Sequence, residues 1–353
     1  MSLRVAIVGA GLIGRKRALA LQAFPDCRLA VSVDIDPEAG RRLARDFGGT
    51  AETDWERVVR RRDVEIVIVA TPNHLLAPVS IAALKSGKHV LCEKPLGRNA
   101  GESQKIVAAA RAGGGTLKTG FNHRHHPALK RAKELVDRGD IGRILYLRCR
   151  YGHGGRPGYN KEWRAKKALS GGGELLDQGV HVVDLMRWLA GDFEEVFGVT
   201  RTAYWEMDVE DNAFALFTRQ DGLAAFFHTS WTQWKNLFSL EIFGRQGYLV
   251  IPGLGGSYGE EKLVVGLNVA QGRPPDEEVI AFPGPDISWQ EEWREFLSAI
   301  EEKREPLGSG HDGLQANKMI EAVYRSAREN RPVKIEKARS ALRRRKPGGK
   351  RSG

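Results

Sequence analysis

Six residues near the N-terminus constrain this chain more than any other feature. Gly9-Ala10-Gly11-Leu12-Ile13-Gly14 follows the apolar run Val5–Val8 directly and opens a segment of helical character. In that strand–turn–helix setting, Gly9 permits a tight turn and Gly11 lets the backbone approach a pyrophosphate. Gly14 lets helix and strand pack closely. The helix N-terminus adds amide donors and the positive end of its dipole. Asp34 ends the next apolar run, 20 residues beyond Gly14, where a carboxylate accepts from a ribose 2′-hydroxyl. The same carboxylate repels a 2′-phosphate, so NAD is favoured over NADP. Asp36 adds to the repulsion, and Arg41 or Arg42 can swing in to offset it.

The organisation around this motif is repetitive. Short β-branched apolar runs recur at Leu3–Val8, Leu29–Val33, Val64–Val69 and His89–Cys92, with a weaker one at Thr116–Gly120. Amphipathic segments such as Arg15–Phe24, Pro37–Phe47 and Ala100–Ala112 lie between them. Strands that are apolar throughout, alternating with helices, predict a doubly wound parallel sheet covered on both faces. After Gly120 the pattern changes. A helix is expected at Pro127–Val136, a strand at Arg143–Arg150, and a helix from about Glu174 to Ala190. Antiparallel strands follow at Glu195–Thr202, Asn212–Thr218, Ala224–Trp231, Phe238–Phe243 and Tyr248–Ile251, then a helix at Leu314–Arg328. The expected fold class is α/β. Residues 1–122 form a Rossmann dinucleotide-binding domain. Residues 123–333 form an α+β domain for substrate binding and oligomerisation, with a large open, mostly antiparallel sheet. Residues 334–353 are a basic, disordered tail.

Composition narrows the function classes. The net charge is +11, but Lys337–Gly353 carries eight basic residues and no acid, leaving +3 on the preceding 336 residues. No aromatic lies among those basic residues to stack on a base, so nucleic acid is not the expected partner. Cys27, Cys92 and Cys149 are odd in number and far apart, which fits a reducing cytoplasm rather than a disulfide framework. The uncharged stretch Ile66–Leu84 is broken by Pro72 and Pro78 and reads as a buried strand and helix, not a membrane span.

Polar groups collect where the strands end. The third strand runs into Thr71, Asn73 and His74, and the fourth into Glu93-Lys94-Pro95. Open α/β sheets place ligands at such carboxyl ends. Lys94 sits either beside a bound nicotinamide or in a surface ion pair with Glu93. On a continuous helix, Asp177, His181, Asp184 and Trp188 share one face, while Leu175, Val182, Met186 and Leu189 share the packed one. Asp177 would then hold His181, leaving the imidazole to take a proton. A solvated face with a chance Asp–His pair is the competing reading, and no metal is assigned. Asn122-His123-Arg124-His125-His126 sits at the domain junction and suits a cleft lining. Arg156, Tyr159, Trp163 and Arg164 lead into the Asp177 segment and are candidates to stack on a sugar ring and pair with an anion. His228, Trp231, Gln233, Trp234 and Lys235 either line the same cleft or are sheet aromatics.

Taken together, GAGLIG, Asp34, TPNH, Glu93-Lys94-Pro95, GFNHRHHP and GGGELLDQGVHVVD resemble the Gfo/Idh/MocA oxidoreductases over roughly residues 3–330. The resemblance implies an NAD(P)-dependent enzyme in which Lys94, Asp177 and His181 meet the substrate beside the nicotinamide. It also implies a homodimer or homotetramer. The substrate would be a sugar, nucleotide sugar or inositol-type polyol, with an anionic sugar preferred. An NAD-dependent glycosidase and a non-catalytic dinucleotide sensor are the rivals. Lys16-Arg17 departs from the family pattern, where many relatives carry a histidine near the start of the first helix, and this leaves the local phosphate contacts open.

Overall fold

Runs without a polar residue bury both faces of the strands they form. The computed structural model describes residues 2–267 and 275–336. In it, β1 (Leu3–Val8), β2 (Cys27–Val33), β3 (Thr50–Glu52), β4 (Ile66–Val69), β5 (His89–Glu93) and β6 (Leu117–Gly120) pair in parallel, in the order 3-2-1-4-5-6. Between them run α1 (Leu12–Gln22), α2 (Pro37–Phe47), α3 (Trp55–Val59), α4 (Asn73–Lys85) and α5 (Ala100–Gly113). The pleat sends Ala6, Val8, Val67 and Val69 to one face, against α4 and α5. Val5, Ile7, Ile66 and Ile68 go to the other. The edge strand β3 and helix α3 were not expected, because each is too short to show a period.

The second face has a distant cover. α10 (Ser288–Glu301), which the sequence reading left unassigned, packs Trp293 and Phe296 onto it beside α1. Each of these buried side chains contributes roughly 1.5–3 kcal/mol.

The second half builds a nine-stranded sheet among the described residues. Its strands are β7 (Ile144–Gly152), β8 (Glu195–Arg201), β9 (Asn212–Thr218), β10 (Ala224–Ser230), β11 (Leu237–Gly244), β12 (Gly247–Ile251), β13 (Lys262–Leu267), β14 (Glu277–Ala281) and β15 (Val333–Lys334). The order is 14-13-12-11-7-10-9-8-15, antiparallel except where β10 runs parallel to β7. α6 (Pro127–Asp137), α9 (Gly179–Ala190) and α11 (Gly310–Glu329) cover one face. α11 approaches β8 so closely that a Cβ on Gly198 would lie 2.7 Å from Val323. Two short helices, α7 (Lys167–Ser170) and α8 (Glu174–Asp177), lead into α9.

Polar ties join the two halves. Asn317 on α11 donates to the Leu96 and Gly97 carbonyls and to Ser103, and Asn73 donates to the Ser170 carbonyl. No helix among the described residues is long and apolar enough to cross a membrane. The basic segment Lys337–Gly353 lies outside the described residues.

Candidate active site

The two halves enclose a cavity of about 600 Å³. Gly9, Gly11, Leu12, Ile13 and Asp34 line one end, and Lys94, Asp177 and His181 line the other. Thr71, Asn73, Glu93 and Asn122 lie along the wall between them. Gly9 adopts φ +101°, and a Cβ there would lie 2.4 Å from the Ala70 carbonyl oxygen, so the turn requires glycine. Gly14 is a packing position: a Cβ would meet the Gly9 carbonyl oxygen at 1.9 Å. A Cβ on Gly11, by contrast, would meet nothing within 4 Å and project into open space. No side chain caps α1, and its first turn holds no acid. Its leading amides are therefore free for an anionic ligand. Asp34 accepts from the Ala10 and Asp36 amides. Arg41 bonds Glu38 and Arg42 faces Asp36, so neither arginine offsets Asp34. These groups fit the phosphates and ribose of a dinucleotide. His74, expected beside them, does not line the cavity: it lies within α4 with its Nδ1 buried.

Glu93 and Lys94 do not pair with each other. Arg17 takes Glu93 through its Nε at 2.6 Å and also bonds Glu292 at 2.5 Å. The departure at Lys16-Arg17 thus separates two roles, because Arg17 is buried in this cluster while Lys16 lines the cavity. Lys94 turns the other way. Its Nζ donates to the Asp177 carbonyl at 2.6 Å and to Asp177 Oδ1 at 2.8 Å. An ammonium has three protons, so one remains for a ligand.

The expected continuous helix from 174 to 190 is interrupted at Gln178. There the turn tightens, and the His181 amide bonds the Gln178 carbonyl instead of that of Asp177. Lys94 occupies the carbonyl so released. Asp177 therefore faces Lys94, with Arg164 Nε 3.5 Å from its other oxygen. Burial raises the Asp177 carboxyl, but Lys94 and Arg164 outweigh it and hold it at about 2. Asp177 does not hold His181, whose Nδ1 has no hydrogen-bond partner. Burial, then the Lys94 charge, keeps His181 well below the usual histidine range. The imidazole is neutral and able to accept a proton.

A second histidine, not Asp177, lies against His181. His123 stacks on His181 with centroids 3.8 Å apart and planes within 19°. Asn122 Oδ1 lies 3.2 Å from His123 Nδ1 and only accepts, so that nitrogen carries the proton. His123 Nε2 then accepts from the Tyr151 hydroxyl at 3.1 Å. Gln178 donates in turn to the Tyr258 hydroxyl, whose ring packs on Tyr151. Burial foremost, followed by the neighbouring His181 and His126, holds His123 well below its ordinary value as well. Tyr151, Gln178 and Tyr258 also line the cavity; Gln178 belongs to the GGGELLDQGVHVVD motif, and Tyr151 directly follows the strand expected at Arg143–Arg150. Tyr258, in the loop between β12 and β13, had no such signal.

Other expected groups lie elsewhere. Arg124 does not reach the cavity: its buried guanidinium is held by Asp184 and Asp312. Asp184 therefore faces Arg124 rather than the cleft. Arg156, Tyr159, Trp163 and Arg164 do line it, but Glu162 pairs with Arg156 at 2.6 Å and lies 3.5 Å from Arg164. His228 stacks on Phe214, Trp231 is buried beside Tyr159, and neither lines the cavity. Gln233, Trp234 and Lys235 are also absent from its wall.

Comparison with known proteins agrees with this arrangement. The profile of an oxidoreductase family with an NAD-binding Rossmann fold matches residues 3–121, and that of the GFO/IDH/MocA C-terminal domain matches residues 129–250. This chain belongs to the Gfo/Idh/MocA family. Levoglucosan dehydrogenase of Pseudarthrobacter phenanthrenivorans is 36% identical over 213 residues, covering 57% of this chain and 54% of that protein. The 1,5-anhydro-D-fructose reductase of Ensifer adhaerens is 29% identical over 341 residues, covering 94% and 98%. A solved levoglucosan dehydrogenase in complex with NADH has a TM-score of 0.89 at 27% identity, covering 96% of this chain and 100% of that one. Like its family, this enzyme is an NAD-binding oxidoreductase.

Proposed function

We propose that the enzyme is a dehydrogenase or reductase that interconverts a secondary alcohol and a ketone on a neutral sugar or inositol-type polyol, with NAD preferred over NADP. The observation that carries this reading is the continuity of the cavity, from Gly11 and Asp34 to the Lys94–Asp177 pair and the neutral His181. Bound NAD supplies the hydride acceptor or donor. The uncapped start of α1 binds its phosphates, and Asp34 accepts from the ribose. Lys94, anchored by Asp177, donates to the substrate oxygen and stabilises the negative charge that develops there. His181 takes the hydroxyl proton during oxidation and returns it during reduction.

A neutral sugar is preferred to an anionic one because each arginine already has a carboxylate partner: Arg156 pairs with Glu162, and Arg164 lies between Glu162 and Asp177, which also holds Lys94. Assembly as a homodimer or homotetramer is part of the proposal. Phe197, Phe214, Leu216 and Phe226 are exposed together on the uncovered face of the large sheet, an apolar patch that suits a second copy.

The test is an NAD+ reduction screen over inositols, aldoses, anhydrosugars, uronates and nucleotide sugars, repeated with NADP+. A neutral sugar or polyol should reduce NAD+, with NADP+ at least about tenfold poorer, a difference of about 1.4 kcal/mol. Preference for uronates would overturn the neutral assignment. Sugar release without net NAD+ reduction would point to a glycosidase.

A further inference from the structure

The cavity wall continues outward as a row of aromatic rings. Tyr159, on the wall, lies 5.9 Å from Trp205, Trp205 lies 5.2 Å from Tyr204, and Tyr204 lies 4.8 Å from Trp234. Tyr204 is 60% exposed and Trp234 67% exposed, and neither lines the cavity itself. The contacts within this outer trio are edge-to-face, at 78° and 89°. An edge-to-face contact covers a face of only one of its two rings.

The row is built to stay in place. The buried Asp211 carboxylate accepts from the backbone amides of Ala203, Tyr204 and Trp205 at 2.8, 2.8 and 2.9 Å. Trp205 Nε1 donates to the Trp231 carbonyl at 3.0 Å. Beneath the rings, Gly154 and Gly155 allow close contact: a Cβ on Gly155 would lie 2.7 Å from the Trp205 ring, and one on Gly154 3.4 Å from Trp234. Holding large aromatics rigid at the surface reduces the ordering cost of a ligand that stacks on them. At the boundary between cavity and row, Arg156 lies over Tyr159 and pairs with Glu162. This exposed pair offers donors and acceptors while adding no net charge.

We propose that Tyr204, Trp205 and Trp234 form an outer subsite for a second sugar ring, so that the enzyme acts on glycosides or disaccharides whose inner ring reacts beside Lys94. The proposal rests on the sugar or polyol reading of the cavity. A pyranose presents a C–H face that stacks on the negative face of an aromatic ring. Its rim hydroxyls suit the Arg156–Glu162 pair. A charged ligand would find no uncompensated partner among these groups. The row's continuity with the cavity through Tyr159 favours a ligand that occupies both, and an exposed apolar patch joined to a pocket is a usual place for one.

The test measures binding and turnover separately, on the full chain loaded with NADH or NAD+. Glucose, maltose and cellobiose are titrated by calorimetry and assayed for NAD+ reduction, for the parent and for Tyr204→Ala and Trp234→Ala. At least one disaccharide should bind the parent about tenfold more tightly than glucose. Each variant should remove most of that advantage while glucose binding stays the same. Both side chains are exposed, so their removal leaves the core intact. Equal binding of mono- and disaccharides by the parent overturns the outer subsite, as does a variant that weakens glucose equally. A change of oligomeric state in either variant by light scattering also overturns it, because a second copy would then cover the row. Disaccharide binding that depends on Trp234, with no NAD+ reduction by any sugar, would keep the subsite and overturn the redox reading.

Discussion

Replacing Arg17 with Met should be the most informative single change outside the cavity. The guanidinium is almost fully buried and holds two carboxylates, Glu93 and Glu292, which are themselves buried. Methionine keeps the bulk of the side chain and removes both ion pairs. Breaking a buried pair from one side costs about 3–5 kcal/mol, because the remaining charge has no partner. An exposed pair would cost no more than about 1 kcal/mol. Two carboxylates are stranded here, which raises the figure, while Lys118 faces Glu292 and lowers it. The expected loss is therefore about 3–5 kcal/mol by urea unfolding at pH 8.

Linkage supplies a second, independent sign. Burial raises the Glu292 carboxyl from its usual 4.5, and Arg17 and Lys118 only partly offset this. A carboxyl raised in the folded state favours folding where it is protonated in both states, and that advantage is lost as pH rises through its folded value. Removing Arg17 raises it further, so the Arg17→Met deficit should grow as pH rises above the usual carboxylate range. Adding Glu292→Gln should recover about half of the deficit, since one uncompensated charge goes with it. Glu93 precedes Lys94 in the chain, so kcat/KM should also fall by about ten- to a hundredfold. A loss under about 1 kcal/mol at pH 8, or a deficit that shrinks as pH rises, would refute the buried-charge account.

Three further outcomes are expected. His181→Ala should lower turnover by about 10²–10⁴-fold while calorimetric NAD+ binding is retained; because burial depresses His181, parent kcat/KM for oxidation should be lost only as pH falls well below 6.5. Asp34→Ala should relax the preference for NAD+ over NADP+ by about tenfold in kcat/KM, since the carboxylate that would repel the 2′-phosphate is gone. If the proposed oligomer forms through the uncovered sheet face, Phe226→Asp should dissociate it in light scattering without lowering the Tm by more than a few degrees.

Much of the first domain was legible because its signal is local. Unbroken runs such as Ile66–Val69 can only be strands covered on both faces, and the glycine spacing of the first turn states which backbone must approach which. The cover of the second face was not legible. Trp293 and Phe296 sit in a segment dense with glutamate, and they pack on Val5 and Ile7, nearly 300 residues earlier. Arg124 failed for the same reason. A basic residue at a domain junction reads as a ligand contact until Asp184 and Asp312, brought in by α9 and α11, are seen to enclose it.

The Asp177–His181 pair fails for a different reason. A four-residue spacing places two side chains on one face only if every turn between them is α-helical. Here Gly179 is pressed against neighbours, with a Cβ position 3.1 Å from Leu175 and 3.3 Å from Thr229, and the chain tightens at Gln178 instead of continuing. That local change frees the Asp177 carbonyl, and a lysine 83 residues away takes it. The carboxylate follows its carbonyl toward Lys94, and the imidazole turns to His123. Spacing identified which residues line the cavity, while a long-range hydrogen bond decided which of them touch. In the proposed reaction Asp177 anchors the lysine that donates to the substrate oxygen, and the proposed base packs on a histidine that the spacing never connected to it.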